Sequence, residues 1–133
     1  MDLRTATGLF AVGFVLHNAD HVRRGFGVIE DGVILGGTIA AMLVAVLFTV
    51  VVLGHPSGPF VAATVGLSLA AGVSAVHLLP SWGWLSDSLP AGDVDVITWV
   101  AVLAEIGGAA LVGAVGLQIL KRNQFALVVA DWR

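Results

Sequence analysis

The sequence predicts an all-α fold, a polytopic membrane protein built as a four-helix bundle in a single domain over residues 1–133. Three observations lead there. Hydrophobic residues make up 58% of the chain and charged residues 11%, against roughly 25% charged in an ordinary soluble domain. Mean hydropathy is +0.99. The apolar residues gather into four stretches, each near the roughly 20 residues that a helix needs to cross a bilayer core. Six basic and nine acidic side chains cannot cover the surface of a soluble enzyme of this size, nor supply the basic face of a nucleic-acid binder. With no cysteine, disulfides, thiolate metal sites and thiol redox chemistry are excluded.

The first span is expected over 3–22. Its purely apolar part ends at Leu16, and the polar run His17-Asn18-Ala19-Asp20-His21 follows. That ending is a poor signal-peptidase site, which calls for small residues, so the segment is expected to be retained. Gly25-Phe26-Gly27 and Glu30-Asp31-Gly32 break the chain before the second span, 33–53, which carries no charge. Gly54-His55-Pro56-Ser57-Gly58-Pro59 forms a tight turn, with Pro59 suited to the first turn of the next helix. The third span, 60–79, holds His77 as its one ionisable residue. A long connection with Trp82, Trp84, Asp87, Asp93 and Asp95 leads to the fourth span, 96–120, which is interrupted by Glu105. Asp93 or Asp95 is placed to cap that helix. The last ten residues are too short to span and are expected as a short tail on the inner surface or against the bundle.

Arg4, Lys121, Arg122 and Arg133 fall on one side, and Arg23 and Arg24 on the other. This imbalance predicts both termini in the cytoplasm of a multi-pass cell (inner) membrane protein. The tryptophans of the third loop suit the opposite headgroup layer.

Helices in lipid meet through small residues. Gly66, Ala70, Ser74 and His77 share a face of span three, and Ala101, Glu105, Gly108, Ala109, Val112 and Gly116 one of span four. Gly13, His17, His21 and Arg24 share a stripe of span one, by steps of three and four residues. The polar residues are therefore expected inside the bundle.

An ionisable residue in a membrane span is a functional candidate, because it costs roughly 2.5–3.5 kcal/mol at mid-bilayer on insertion scales. His17 and His21, four residues apart, stack two imidazoles on one helix face, as zinc-binding helices do. His77 offers a third nitrogen and Glu105 an oxygen. The expected metal ligands are thus His17, His21, His77 and Glu105, a set that suits zinc, iron, copper or manganese. Asp20 and Arg24 are expected as supporting or gating groups, Arg24 by pairing with Asp20 or Glu105 or by holding an anionic substrate or a haem propionate, while Arg23 is expected to reach for headgroups. The same histidines could hold haem between two helices; the chain is similar in size to four-helix cytochrome subunits. Helix rise puts His17 level with Glu105, and His21 level with His77 nearer the surface.

Three functions follow as expectations. The first is a metal- or haem-binding membrane protein with an oxidoreductase or electron-transfer role. The second is a proton- or ion-coupled transporter with Glu105 as the titrating group. The third is a structural or accessory subunit. The bilayer is the expected partner in each, with a homo-oligomer or larger membrane complex open and nucleic acid excluded.

Overall fold

The computed structural model describes residues 1–25, 27 and 29–131, with side chains described up to Gln124. Phe26, Trp132 and Arg133 of the sequence reading lie outside the described residues. Among the described residues the secondary structure is all helical. Four long helices, α1 (Leu3–Arg24), α2 (Asp31–Val52), α3 (Gly58–Leu78) and α4 (Val96–Asp131), are joined by loops, the third of which contains one turn of 3-10 helix at Leu89–Ala91.

The helix starts follow local chemistry. Asp2 caps α1 by accepting from the Thr5 backbone N–H at 2.9 Å. Pro59 stands in the first turn of α3, where its missing N–H costs nothing. Of the two acidic candidates, Asp95 caps α4, accepting from the Thr98 N–H at 3.0 Å. Helix ends differ from the expected spans by a few residues, except at the C-terminus. There α4 runs through to Asp131 in place of the separate tail. Lys121-Arg122-Asn123-Gln124 holds no Gly or Pro, so hydropathy falls while the backbone has no reason to stop.

α2, α3 and α4 are long and apolar enough to cross a membrane. α1 matches them in length but not in hydropathy, because Arg4, His17, Asn18, Asp20, His21, Arg23 and Arg24 lie within it.

α4 is the central element, packed along both α1 and α3, while α2 leans on α3 and barely meets α1. Small residues permit the close packing. A Cβ on Gly13 would lie 2.5 Å from the Ala104 carbonyl oxygen of α4, and one on Gly66 2.7 Å from the Gly113 nitrogen. The apolar core includes Ala6 and Phe10 of α1, Leu47 of α2, Ala62 of α3 and Ala109 and Val112 of α4. The rings of Phe10 and Phe48 stack with centroids 6.4 Å apart, which ties α2 to α1 at this end. Towards the other end α2 diverges, leaving Gly36 and Gly37 with open space beside them.

Candidate metal centre

At the open end three imidazoles converge. His17 and His21 stand one turn apart on α1, and His77 closes the last turn of α3. Ring centroids are 4.5 Å apart for His17–His21, 4.7 Å for His17–His77 and 5.8 Å for His21–His77. One ring nitrogen from each lies within 4.8 Å of the other two. His17 and His77 are buried and His21 is half-buried. The two levels expected from helix rise are thus merged, since His17 touches both other rings.

The outer nitrogens of two rings are already engaged. His17 Nδ1 meets the Glu105 carboxylate of α4, itself only 3% exposed. His77 Nδ1 donates to the Asp87 backbone carbonyl at 3.0 Å. A carboxylate and a carbonyl only accept, so both rings carry their proton on Nδ1 when neutral. Nε2 is then the free acceptor on each. His17 Nε2 and His21 Nδ1 are buried without a hydrogen-bond partner. Glu105, expected as a direct ligand, stands behind His17. That is the usual place of a carboxylate that orients a ligating imidazole.

The supporting groups are rearranged relative to expectation. Arg24 pairs with neither Asp20 nor Glu105. Its guanidinium grips the Asp87 carboxylate with two bonds of 2.8 and 3.0 Å, so it is not free for an anionic ligand or a haem propionate. The Asp87 Oδ2 is also 3.6 Å from His77 Nδ1. Burial pushes the Asp87 carboxyl up, but the Arg24 hydrogen bonds and charge outweigh it and hold it below the usual range. Asp20 turns away from the histidines and accepts from Arg23 Nε at 2.9 Å. Arg23, expected to reach for headgroups, also binds the Asp95 carboxylate at 2.8 and 3.0 Å and Thr98 at 3.1 Å, clamping α1 to the start of α4. His55 bonds only locally, to Ser57, as a turn residue should.

Sequence reasoning missed Asp87. The signal was an acidic loop residue ten positions after His77, in a connection with no basic residue of its own. The loop is pinned where Asp87 needs it. Trp82 Nε1 donates to the Ala75 carbonyl at 2.9 Å, the Asp87 N–H donates to the Val76 carbonyl at 3.1 Å, and Trp84 packs against Gly32 of α2. The loop tryptophans, expected as headgroup anchors, are half or more exposed yet hold the loop over the histidines.

A cleft of about 220 Å3 lies beside the cluster, between α2 and the α1–α3 pair. His17, His21, His77 and Glu105 stand among its lining, with Phe14, Gly37, Gly72 and Leu85 on the apolar walls. No family model, curated protein or solved structure matches the chain, so the chemistry of this centre is argued from its residues alone.

Proposed function

We propose that the protein is an integral membrane protein that binds one transition-metal ion through His17, His21 and His77. The observation that carries this reading is the division of labour on the rings: Glu105 and the Asp87 carbonyl hold Nδ1 of His17 and of His77, His17 Nε2 and His21 Nδ1 are buried and unpaired, and one nitrogen of each ring lies within 4.8 Å of the other two. A tetrahedral metal with bonds of about 2.0–2.1 Å needs ligand nitrogens roughly 3.3 Å apart. Modest side-chain rotation closes the present spacing to that value. Three imidazoles suit zinc, copper, iron or nickel. Three protein ligands with an open fourth position are the pattern of a reactive metal site, as a closed structural site takes four. The reading thereby leaves room for oxidoreductase or electron-transfer chemistry.

A non-haem ion is favoured over haem. Two imidazoles on opposite sides of a haem iron need centroids roughly 6 Å apart and coaxial, given metal–nitrogen bonds of ~2 Å. His17 and His77 meet edge to face at 4.7 Å, with His21 against the same edge.

The reading includes α1 as a fourth crossing, with both termini cytoplasmic. Leu9, Val12, Val15, Leu16 and Val22 of α1 are each 46% or more exposed, while His17 and Asp20 are buried. Apolar outside and polar inside is the arrangement lipid demands. Its 22 residues give about 33 Å of helix, enough to cross the core.

Transport driven by Glu105 has one supporting feature, the buried Glu105–His17 pair. It also needs a route to the other side. Below the site α1, α3 and α4 close on one another at Gly13, Gly66 and Gly113, which weighs against it.

Metal analysis of protein purified in detergent tests the proposal. About one equivalent of zinc, copper or iron is expected, lost in His17→Ala and His77→Ala. A metal-free protein that takes up no added Zn2+ or Cu2+ overturns it.

A further inference from the structure

We propose that the cleft beside the histidines is a binding site for a membrane-dissolved phenol or quinol, whose hydroxyl meets the histidine cluster and whose apolar body lies between α2 and α3. The inference rests on the metal reading only in giving the oxygen the metal's open position when an ion is bound.

The polarity of the site selects the ligand. His17, its side chain 7% exposed, stands in the cleft lining, and its buried Nε2 has no partner. On the neutral ring, with its proton held on Nδ1 by Glu105, that nitrogen can only accept. The same holds for His77, whose Nδ1 proton goes to the Asp87 carbonyl. A group that meets two acceptors must be a Lewis acid or a hydrogen-bond donor. An anion, an ester or a ketone has nothing to offer them. A hydroxyl donates to a ring nitrogen, and its oxygen also serves a metal as ligand. A buried acceptor left dry is destabilising, and the hydroxyl proton satisfies one such nitrogen.

The walls select the rest of the molecule. Away from the histidines the lining includes Phe14, Gly36, Gly37, Ala40, Leu69 and Gly72, with Asn18 as its polar uncharged member. Gly36, Gly37 and Gly72 are exposed, so the cleft opens sideways between helices that carry apolar outer faces, towards lipid. An apolar cavity of about 150 Å3 takes up benzene, and this cleft, at about 220 Å3, has room for an aromatic ring with a tail leaving through the gap. The glycines keep the space clear, since a Cβ at Gly36, Gly37 or Gly72 would meet nothing within 4 Å. Larger side chains there fill the cleft without disturbing helix packing, and they raise helix propensity.

The experiment uses the full chain in nanodiscs with 15N-labelled histidine, titrated with 4-octylphenol and, in parallel, with octylbenzene. In metal-free protein, octylphenol should shift the His17 and His77 Nε2 resonances and octylbenzene should not. Gly37→Leu and Gly72→Leu should each weaken octylphenol binding at least tenfold. In Co2+-loaded protein octylphenol should change the visible spectrum, and both leucine variants should keep the wild-type cobalt content. An equal response to octylbenzene would show apolar filling by any lipid chain and overturn the proposal, as would no response to either. Leucine variants that bind like wild type, or that change oligomeric state because a second copy had closed the cleft, also overturn it. Protein that binds octylphenol but no metal would sink the metal reading alone. Protein that binds Co2+ yet ignores octylphenol would sink this one alone.

Discussion

The two halves of the bundle use the same small residues to opposite ends. In the half nearer the N-terminus, glycine faces backbone: Gly66 meets Gly113, and α3 and α4 close to contact. In the histidine half, Gly36, Gly37 and Gly72 face open space, and α2 stands off. Lipid competes for apolar contact, so helices join only where surfaces fit closely. The closed half fits and supplies the stability. The open half is held by polar links instead, Arg23 to Asp20 and Asp95, and Arg24 to Asp87. A small residue in a membrane helix is thus either a contact or a vacancy, and the partner decides which.

The comparison can be tested from its strongest consequence downwards. In the open half, His77→Ala removes one of three proposed ligands and should reduce metal content to background, measured by mass spectrometry of the metal in purified protein. Glu105→Gln keeps the shape but weakens the hold on His17. Metal affinity should fall by about 10–100-fold, the usual cost of losing a carboxylate behind a ligating histidine, with helical content unchanged by circular dichroism. In the closed half, Gly66→Ala forces a methyl against the α4 backbone and should destabilise by about 1–3 kcal/mol, read from thermal or denaturant unfolding in detergent. Gly37→Ala, in the open half, should leave stability unchanged or slightly raised. Equal effects at the two glycines would remove the distinction between the halves.

The smallest expected effect is an acid titration of the loop clamp. The Thr98 N–H and Arg23 hold the Asp95 carboxyl below its ordinary value of 3.8. A depressed carboxylate pKa contributes stability that is complete above the unfolded value and lost as pH falls through the folded one. The cap and the Arg23 bridge should therefore be intact at neutral pH and loosen below about pH 4. Trp99 fluorescence can follow this, and Asp95→Asn, which still caps, should abolish that acid step.

The bundle was legible because span length, glycine-proline turns and caps are all local signals. Pro59 and Asp95 each act within three residues of their own position. The histidine pair was legible for the same reason, as a four-residue step on one helix. What spacing does not encode is which ring nitrogen a neighbour takes. Helix rise put Glu105 level with His17, yet could not say that it would bind Nδ1 and stand behind the ring. Asp87 escaped because its role depends on the path of a loop that Trp82 and Trp84 pin in place. Arg24 was therefore given the wrong partners. The divergence of α2 escaped too, since Gly36, Gly37 and Ala40 look like a packing face until their neighbours are known. The α4 extension to Asp131 was hidden because hydropathy marks where lipid ends and says nothing of where a helix ends.

The position of Asp87 in the chain also sets a timetable. The ribosome delivers His17 and His21 first, well over fifty residues before His77. Asp87 and Glu105, which fix the tautomers of His77 and His17, come later still. During synthesis the early pair offers two unoriented imidazoles, a weak and unselective chelator. Only when α4 has inserted between its neighbours and the third loop has folded down are the nitrogens aimed. On the proposed reading, loading with metal is a step of maturation that would follow the packing of the last helix.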